Sequence, residues 1–170
     1  MIELKPFKIE DCKYLKKWIT NESDLIQFAG NIFTFPIDKK QVEIYLSDSN
    51  RTVFKIINED KLSIGIAEIS ILKENEKDGK LARILIGEKT MRGKGIGTEL
   101  INKLTEYGFK NLKKERIILN VYSWNVGAIK CYEKVGFSQT DKPIEFVKVG
   151  NENWETIEME KSLIANTMYN

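Results

Sequence analysis

The sequence predicts one α/β domain: a mixed sheet of about seven strands, with elements in the order β-α-α-β-β-β-α-β-α-β-β. Three observations carry this. Runs rich in Ile and Val, of strand length, alternate with stretches whose apolar residues recur at helical spacing. A glycine-rich turn, Met91-Arg92-Gly93-Lys94-Gly95-Ile96-Gly97-Thr98, joins one such strand to one such helix. The 170 residues contain no repeat, linker or low-complexity block, so residues 1–170 make a single domain with one well-filled core.

Ile2-Glu3-Leu4-Lys5 alternates apolar and polar residues and meets Pro6, which suits a short strand at a sheet edge. Asp11 is placed to cap a helix carrying Tyr14, Leu15 and Trp18 on one face and stopping near Thr20-Asn21. Val42, Tyr45 and Leu46 suggest a second helix over residues 39–46. Between the two, the aromatic-rich stretch Phe28-Ala29-Gly30-Asn31-Ile32-Phe33-Thr34-Phe35-Pro36 reads as a loop. Residues 51–57 and 62–72 read as a hairpin about Asn58-Glu59-Asp60-Lys61. The charged run 73–80 contains Asp78-Gly79, a turn signal, and leads into a strand over 81–86. Leu100, Ile101, Leu104 and Tyr107 recur at helical spacing after the glycine turn, with Gly108 and Asn111 near the stop. Residues 116–121 are apolar enough for a strand buried on both faces. Asn125 can cap a helix running to Lys134, with Gly136 where a terminating glycine belongs. Residues 144–149 and 154–159 flank Gly150-Asn151-Glu152-Asn153 as a closing hairpin, and the tail 162–170 is expected to fray.

Composition narrows the function. Hydrophobic residues at 42% and charged residues at 31% suit a soluble protein, and 27 basic residues mixed with 25 acidic ones leave no basic footprint for nucleic acid. No apolar run reaches the length of about 18 residues that a membrane span needs. Cys12 and Cys131 lie too far apart for a zinc or CxxC motif, and no secretory segment precedes them, so a cytoplasmic protein with reduced thiols is expected. The chain has no histidine. That removes His-based triads, His-ligated metals and a His general base, and leaves acid-base work to Glu, Asp, Tyr, Lys, Cys or water.

The glycine turn has the outline of a phosphate cradle, because a glycine backbone takes positive φ and a helix N-terminus offers unpaired N–H groups with the positive end of the macrodipole. Two common phosphate grammars fail. A P-loop needs four residues between its glycine and Gly-Lys, whereas Gly87 is followed by five, and Gly95 stands where a hydroxyl residue belongs. A dinucleotide fingerprint would need glycine at Thr98 or at Leu100. What remains, Arg92-x-x-Gly95-x-Gly97, resembles the acetyl-CoA signature of the GNAT N-acetyltransferase superfamily, Arg/Gln-x-x-Gly-x-Gly/Ala. Asn125-Val126-Gly127-Ala128-Ile129-Lys130-Cys131-Tyr132-Glu133-Lys134-Val135-Gly136-Phe137 resembles the same family's Asn-x-x-Ala-x-x-x-Tyr-Glu-x-x-Gly-Phe segment. The likeness is tight over residues 81–138. Phe33-Thr34-Phe35-Pro36 and the general layout are most similar to the branch of ribosomal-protein N-terminal and polyamine acetyltransferases.

The resemblance implies a GNAT-like sheet splayed between its fourth and fifth strands and an acetyl-CoA-dependent N-acetyltransferase. The acceptor would be a primary amine of a small molecule or of a protein N-terminus, attacking the thioester directly. No metal is implied, and dimers are frequent in the family, so a homodimer is one expectation. The glycine turn, with Arg92, Gly93, Lys94, Gly95, Ile96, Gly97 and Thr98, would hold the CoA pyrophosphate. Backbone groups at Leu85, Ile86 and Gly87 would serve the pantetheine arm and the oxyanion. Asn125 would touch the cofactor arm as well as cap its helix. Tyr132 matches the family's general acid, a phenol protonated at neutral pH. One branch carries a basic glutamate where this chain has Asn120, which takes no proton. Glu68 and Glu88 are then the carboxylates available as a base, beside water. Specificity is expected to depend on residues 27–36 and the final hairpin, with Glu22 and Asp24 as charges that could attract a cationic amine. A non-catalytic CoA-binding module of the same fold is the alternative.

Overall fold

In the computed structural model, which describes residues 1–163, the chain runs β1 (Glu3–Pro6), α1 (Cys12–Trp18), α2 (Glu22–Ala29), α3 (Lys39–Leu46), β2 (Arg51–Ile57), β3 (Ser63–Ile71), β4 (Asp78–Ile86), α4 (Ile96–Lys110), β5 (Arg116–Tyr122), α5 (Val126–Val135), β6 (Ser138–Gln139), β7 (Glu145–Val149) and β8 (Glu152–Ser162). The strands form one sheet in the order β1-β2-β3-β4-β5-β8-β6, with β7 also paired to β8. The pairings are antiparallel except that of β4 with β5. This is the expected α/β sheet with one more short strand and one more helix.

Helices cover both faces of the sheet. Leu100, Ile101 and Leu104 of α4, with Tyr132 and Val135 of α5, pack on Ile69, Leu81, Ile117 and Leu119 of the strands. On the other face Leu15, Trp18, Leu25, Phe28, Val42 and Tyr45 of α1 to α3 pack around Val53 and Ile66. Each fully buried Leu or Ile contributes roughly 1.5–3 kcal/mol. β3 therefore lies between two helical layers, which explains why every residue from Ile64 to Ile69 is buried.

Four local expectations are corrected. The stretch after Asn21 is helical rather than loop: the Asn21 side chain accepts the Asp24 N–H at 2.8 Å, and Leu25, Phe28 and Ala29 recur at helical spacing on the buried face. An asparagine read as a helix stop is the start of the next helix. Asp11 does not cap α1 with its side chain; its carboxylate accepts from the Lys8 N–H at 2.8 Å and the Lys55 ammonium at 2.9 Å, tying the preceding turn to β2. Asp78-Gly79 is not a turn but the buried start of β4, where Asp78 pairs with Arg116 across β5. Ser162, expected to fray, closes β8 opposite Arg116; residues 164–170 lie outside the described residues.

The sheet opens at one place. β4 and β5 pair only from Asp78 opposite Arg116 to Leu81 opposite Leu119, and beyond these the strands part. The cause lies in β4. Ile66 faces Leu85 while Glu68 faces Ala82, so β4 carries one residue more than β3 in this interval, a β-bulge. Its residue Arg83 has φ of 48°, in the left-handed region that non-glycine residues rarely occupy. The Arg83 side chain is held by both oxygens of Glu68, with Nε at 2.7 Å from one of them.

Candidate active site

The opened seam holds a cavity of about 840 Å³. At one end its wall is the turn into α4. Gly93 and Gly95 have φ of 75° and 79°, and Gly95 caps the helix with no side chain, so the first N–H groups of α4 have no capping side chain. Arg92, Gly93, Gly95, Gly97 and Thr98 line the cavity here. The Arg92 Nε donates to the Ile86 carbonyl at 2.8 Å, bracing the turn against the end of β4 while the rest of its guanidinium stays at the exposed rim. Lys94 is exposed and Ile96 packs toward the core, and neither side chain lines the cavity. Replacing Arg92 with Lys should weaken acetyl-CoA binding by roughly three- to tenfold in calorimetry, because an ammonium cannot brace Ile86 and meet a phosphate together; exposure keeps the loss modest.

The middle of the cavity is walled by residues 81–86 on β4 and by Leu119, Asn120, Val121 and Tyr122 on β5. Beyond Leu81 the β4 edge that faces β5 has no ladder partner. These are features a CoA arm requires: an uncapped helix N-terminus for the pyrophosphate and an open strand edge for the amide-bearing pantetheine. The structure corrects the expected row at Gly87. Its N–H donates to the Ile64 carbonyl at 2.8 Å, and it does not line the cavity. Its lack of a side chain serves packing instead: a Cβ would stand 2.0 Å from the Trp18 ring. Gly87→Ala should therefore displace Trp18 and lower stability by about 1–3 kcal/mol, read as a reduced urea midpoint.

Tyr132, on the inward face of α5, lines the cavity and is 9% exposed. Burial, with Cys131 adding, pushes its phenol up to about 12, and no hydrogen-bond partner contributes to that shift. Asn125 caps α5 by accepting the Ala128 N–H at 3.3 Å and also lines the cavity. Thr98 and Cys131 meet at 3.5 Å where α4 and α5 touch.

The two carboxylates expected as bases are elsewhere. Glu68 has no exposed surface and does not line the cavity; Arg83 takes both its oxygens, the Tyr45 hydroxyl donates to it, and Arg51 stands 3.6 Å away. Burial first, and then the Glu68 charge, push the Tyr45 phenol well above its ordinary value. Glu88 also lies outside the cavity lining and accepts from the Lys17 ammonium and from Trp18 Nε1, at 3.1 Å for the latter. Those two hydrogen bonds hold its carboxyl below the usual glutamate value, the wrong direction for a base.

At α2 the expected specificity residues Gln27 and Phe28 and the expected charge Asp24 line the cavity. Trp18 and Tyr122, not anticipated from the sequence, complete this wall, and Tyr122 closes it by donating from its hydroxyl to the Ile26 carbonyl at 3.3 Å. The Asn21 cap was the available signal for α2. Most of the aromatic loop packs away from the cavity: Phe33 is buried with its ring 5.0 Å from Tyr45. Of the final hairpin, Thr156 reaches the lining.

A model of the acetyltransferase (GNAT) family matches residues 17–137, more than half of the chain, and the chain belongs to that family. YobR of Bacillus subtilis strain 168, an uncharacterised N-acetyltransferase, is 36% identical over 88 residues, which are 52% of this chain and 33% of YobR. A probable spermine N(1)-acetyltransferase of Bacillus subtilis subsp. natto is 28% identical over 78 residues, 44% of this chain and 51% of that protein. The chain thus matches only a third to a half of the length of these two relatives. Among solved structures, spermidine N-acetyltransferase from Vibrio cholerae in complex with CoA and spermine has the same fold, with a TM-score of 0.80 at 19% identity over 95% of both chains.

Proposed function

We propose that the protein is an acetyl-CoA-dependent N-acetyltransferase acting on the primary amine of a small molecule, with a polyamine as the first acceptor to test. The observation that carries this is one continuous cavity, running from the glycine-framed start of α4 along the open edge of β4 to the Tyr132 phenol. The wall formed by α2 and Tyr122 favours a compact acceptor over a folded protein's N-terminus. The names of the spermine and spermidine enzymes similar to this chain support the polyamine. Both cysteines are free, in keeping with a reducing cytoplasm.

In this reading a neutral amine attacks the thioester carbonyl carbon, and the charge gathers on the carbonyl oxygen beside the open β4 edge. The carbon–sulfur bond then breaks, Tyr132 gives its proton to the leaving CoA sulfur, and the proton shed by the amine passes to water. The unavailability of Glu68 and Glu88 as bases is what favours the second reading, a CoA-binding module without turnover. CoA thiol release across spermidine, spermine, aminoglycosides, amino acids and short peptides distinguishes the two. Release with a polyamine is expected; saturable acetyl-CoA binding with no release from any amine selects the module.

A further inference from the structure

The carboxylate that meets the acceptor is absent from the cavity lining beside Asn120, and the register of the neighbouring strand supplies one. Asn120 on β5 lies directly opposite Glu158 on β8, and Tyr122 lies opposite Thr156. Opposed residues share a face, with Cβ atoms about 4.5–5.5 Å apart. Asn120, Tyr122 and Thr156 all line the cavity; Glu158 lies just outside that lining, as the fourth corner of a patch whose other three corners are in it.

Glu158 is an anion with little water around it: its side chain is 12% exposed. Its cation is Lys142, whose ammonium stands 2.9 Å away on a stem that is 52% exposed, from the segment between β6 and β7. The Thr140 hydroxyl is 3.5 Å from it. Lys80, half-buried on β4, also feels its charge; burial first, and then Arg83, push the Lys80 ammonium down, while Glu158 and Glu145 act in the other direction. Three other carboxylates at or near the cavity have partners within the protein: Glu68 with Arg83, Glu88 with Lys17 and Trp18, and Asp24 with Asn21, whereas Glu145, opposite Thr156, is exposed. Glu158 is held by a lysine on the exposed connection between β6 and β7, whose Thr140 N–H donates to the Glu158 carbonyl at 3.0 Å.

Resting on the proposed acetyl transfer to an amine, we infer that Glu158 holds the acceptor's ammonium above Asn120, and that Lys142 occupies that place until the acceptor arrives. Lysine and a primary amine present the same group, an alkylammonium. The exchange replaces one ion pair with an equivalent one and strands no buried charge. In this arrangement Glu158 orients the cation and water removes the proton.

The test uses spermidine as the acceptor at saturating acetyl-CoA. Glu158→Gln keeps the side-chain shape and removes the charge; it should raise the KM for spermidine by about tenfold, the scale of one shielded charge-assisted contact, with much less change in kcat and none in acetyl-CoA affinity. Lys142→Met keeps the stem and removes the competing cation, and it should lower the same KM severalfold. A pair that only braced the β8 surface would shift both variants the same way. An unchanged KM in Glu158→Gln, or a raised KM in Lys142→Met, overturns the inference, as does a wild type that binds acetyl-CoA yet does not acetylate spermidine. Loss of acetyl-CoA binding by the wild type would instead remove the proposed function itself.

Discussion

Tyr132→Phe is expected to lower kcat by about 10² to 10⁴ while leaving the calorimetric affinity for acetyl-CoA nearly unchanged. The substitution removes one oxygen and keeps the ring that packs among Val135, Phe137 and the α4 side chains, so folding should survive. On the proposed mechanism, what is lost is the proton for the departing CoA sulfur. The sign of the pH dependence follows from the environment. Burial raises the phenol to about 12, so the acid form persists through neutral and moderately alkaline pH and Tyr132 adds no descending limb to a profile measured below about pH 11. Turnover by Tyr132→Phe within a few-fold of wild type, measured by thiol release, would remove Tyr132 from the mechanism.

Glu68→Ala should produce the largest loss of stability, about 3–5 kcal/mol in urea unfolding, because it leaves buried positive charge unpaired. Arg83, 17% exposed at the side chain, would lose its carboxylate partner; Arg51, equally shielded, keeps Asp48 at 2.7 Å but its Nη1 is already buried without a hydrogen-bond partner. The Tyr45 hydroxyl would lose its acceptor as well. The Arg83 bulge is what parts β4 from β5, so releasing its guanidinium should also weaken acetyl-CoA binding. A glutamate acting as catalytic base would give the opposite pattern: a large fall in kcat with stability and cofactor affinity intact.

The geometry of the glycine turn was legible because its determinants are local. Positive φ at Gly93 and Gly95 and a helix without a capping side chain follow from a glycine turn between a strand and an amphipathic helix. The placement of Tyr132 and Asn125 on and at the start of one helix was legible for the same reason. The rest depends on contacts between distant residues. Nothing near Arg83 in sequence announces a bulge, because its compensating partner is Glu68 on another strand. Gly87 looked like part of the oxyanion row, and only the packing of Trp18 against it reveals another use. The pairing of Asn120 with Glu158 is a matter of strand register, which the apolar pattern of 116–121 does not encode. The Asn21 case differs: its signal was present, but an asparagine serves equally at the end of one helix and the start of the next.

On the proposed function, one cavity holds acetyl-CoA at the start of α4 and passes its acetyl group to an amine beside Tyr132. Mass spectrometry of a reaction containing the protein, acetyl-CoA and spermidine tests it most directly. N-acetylated spermidine and free CoA should appear in equal amounts, both nearly lost with Tyr132→Phe. Saturable acetyl-CoA binding with no acetylated amine, for spermidine or any other member of the amine panel, would contradict it.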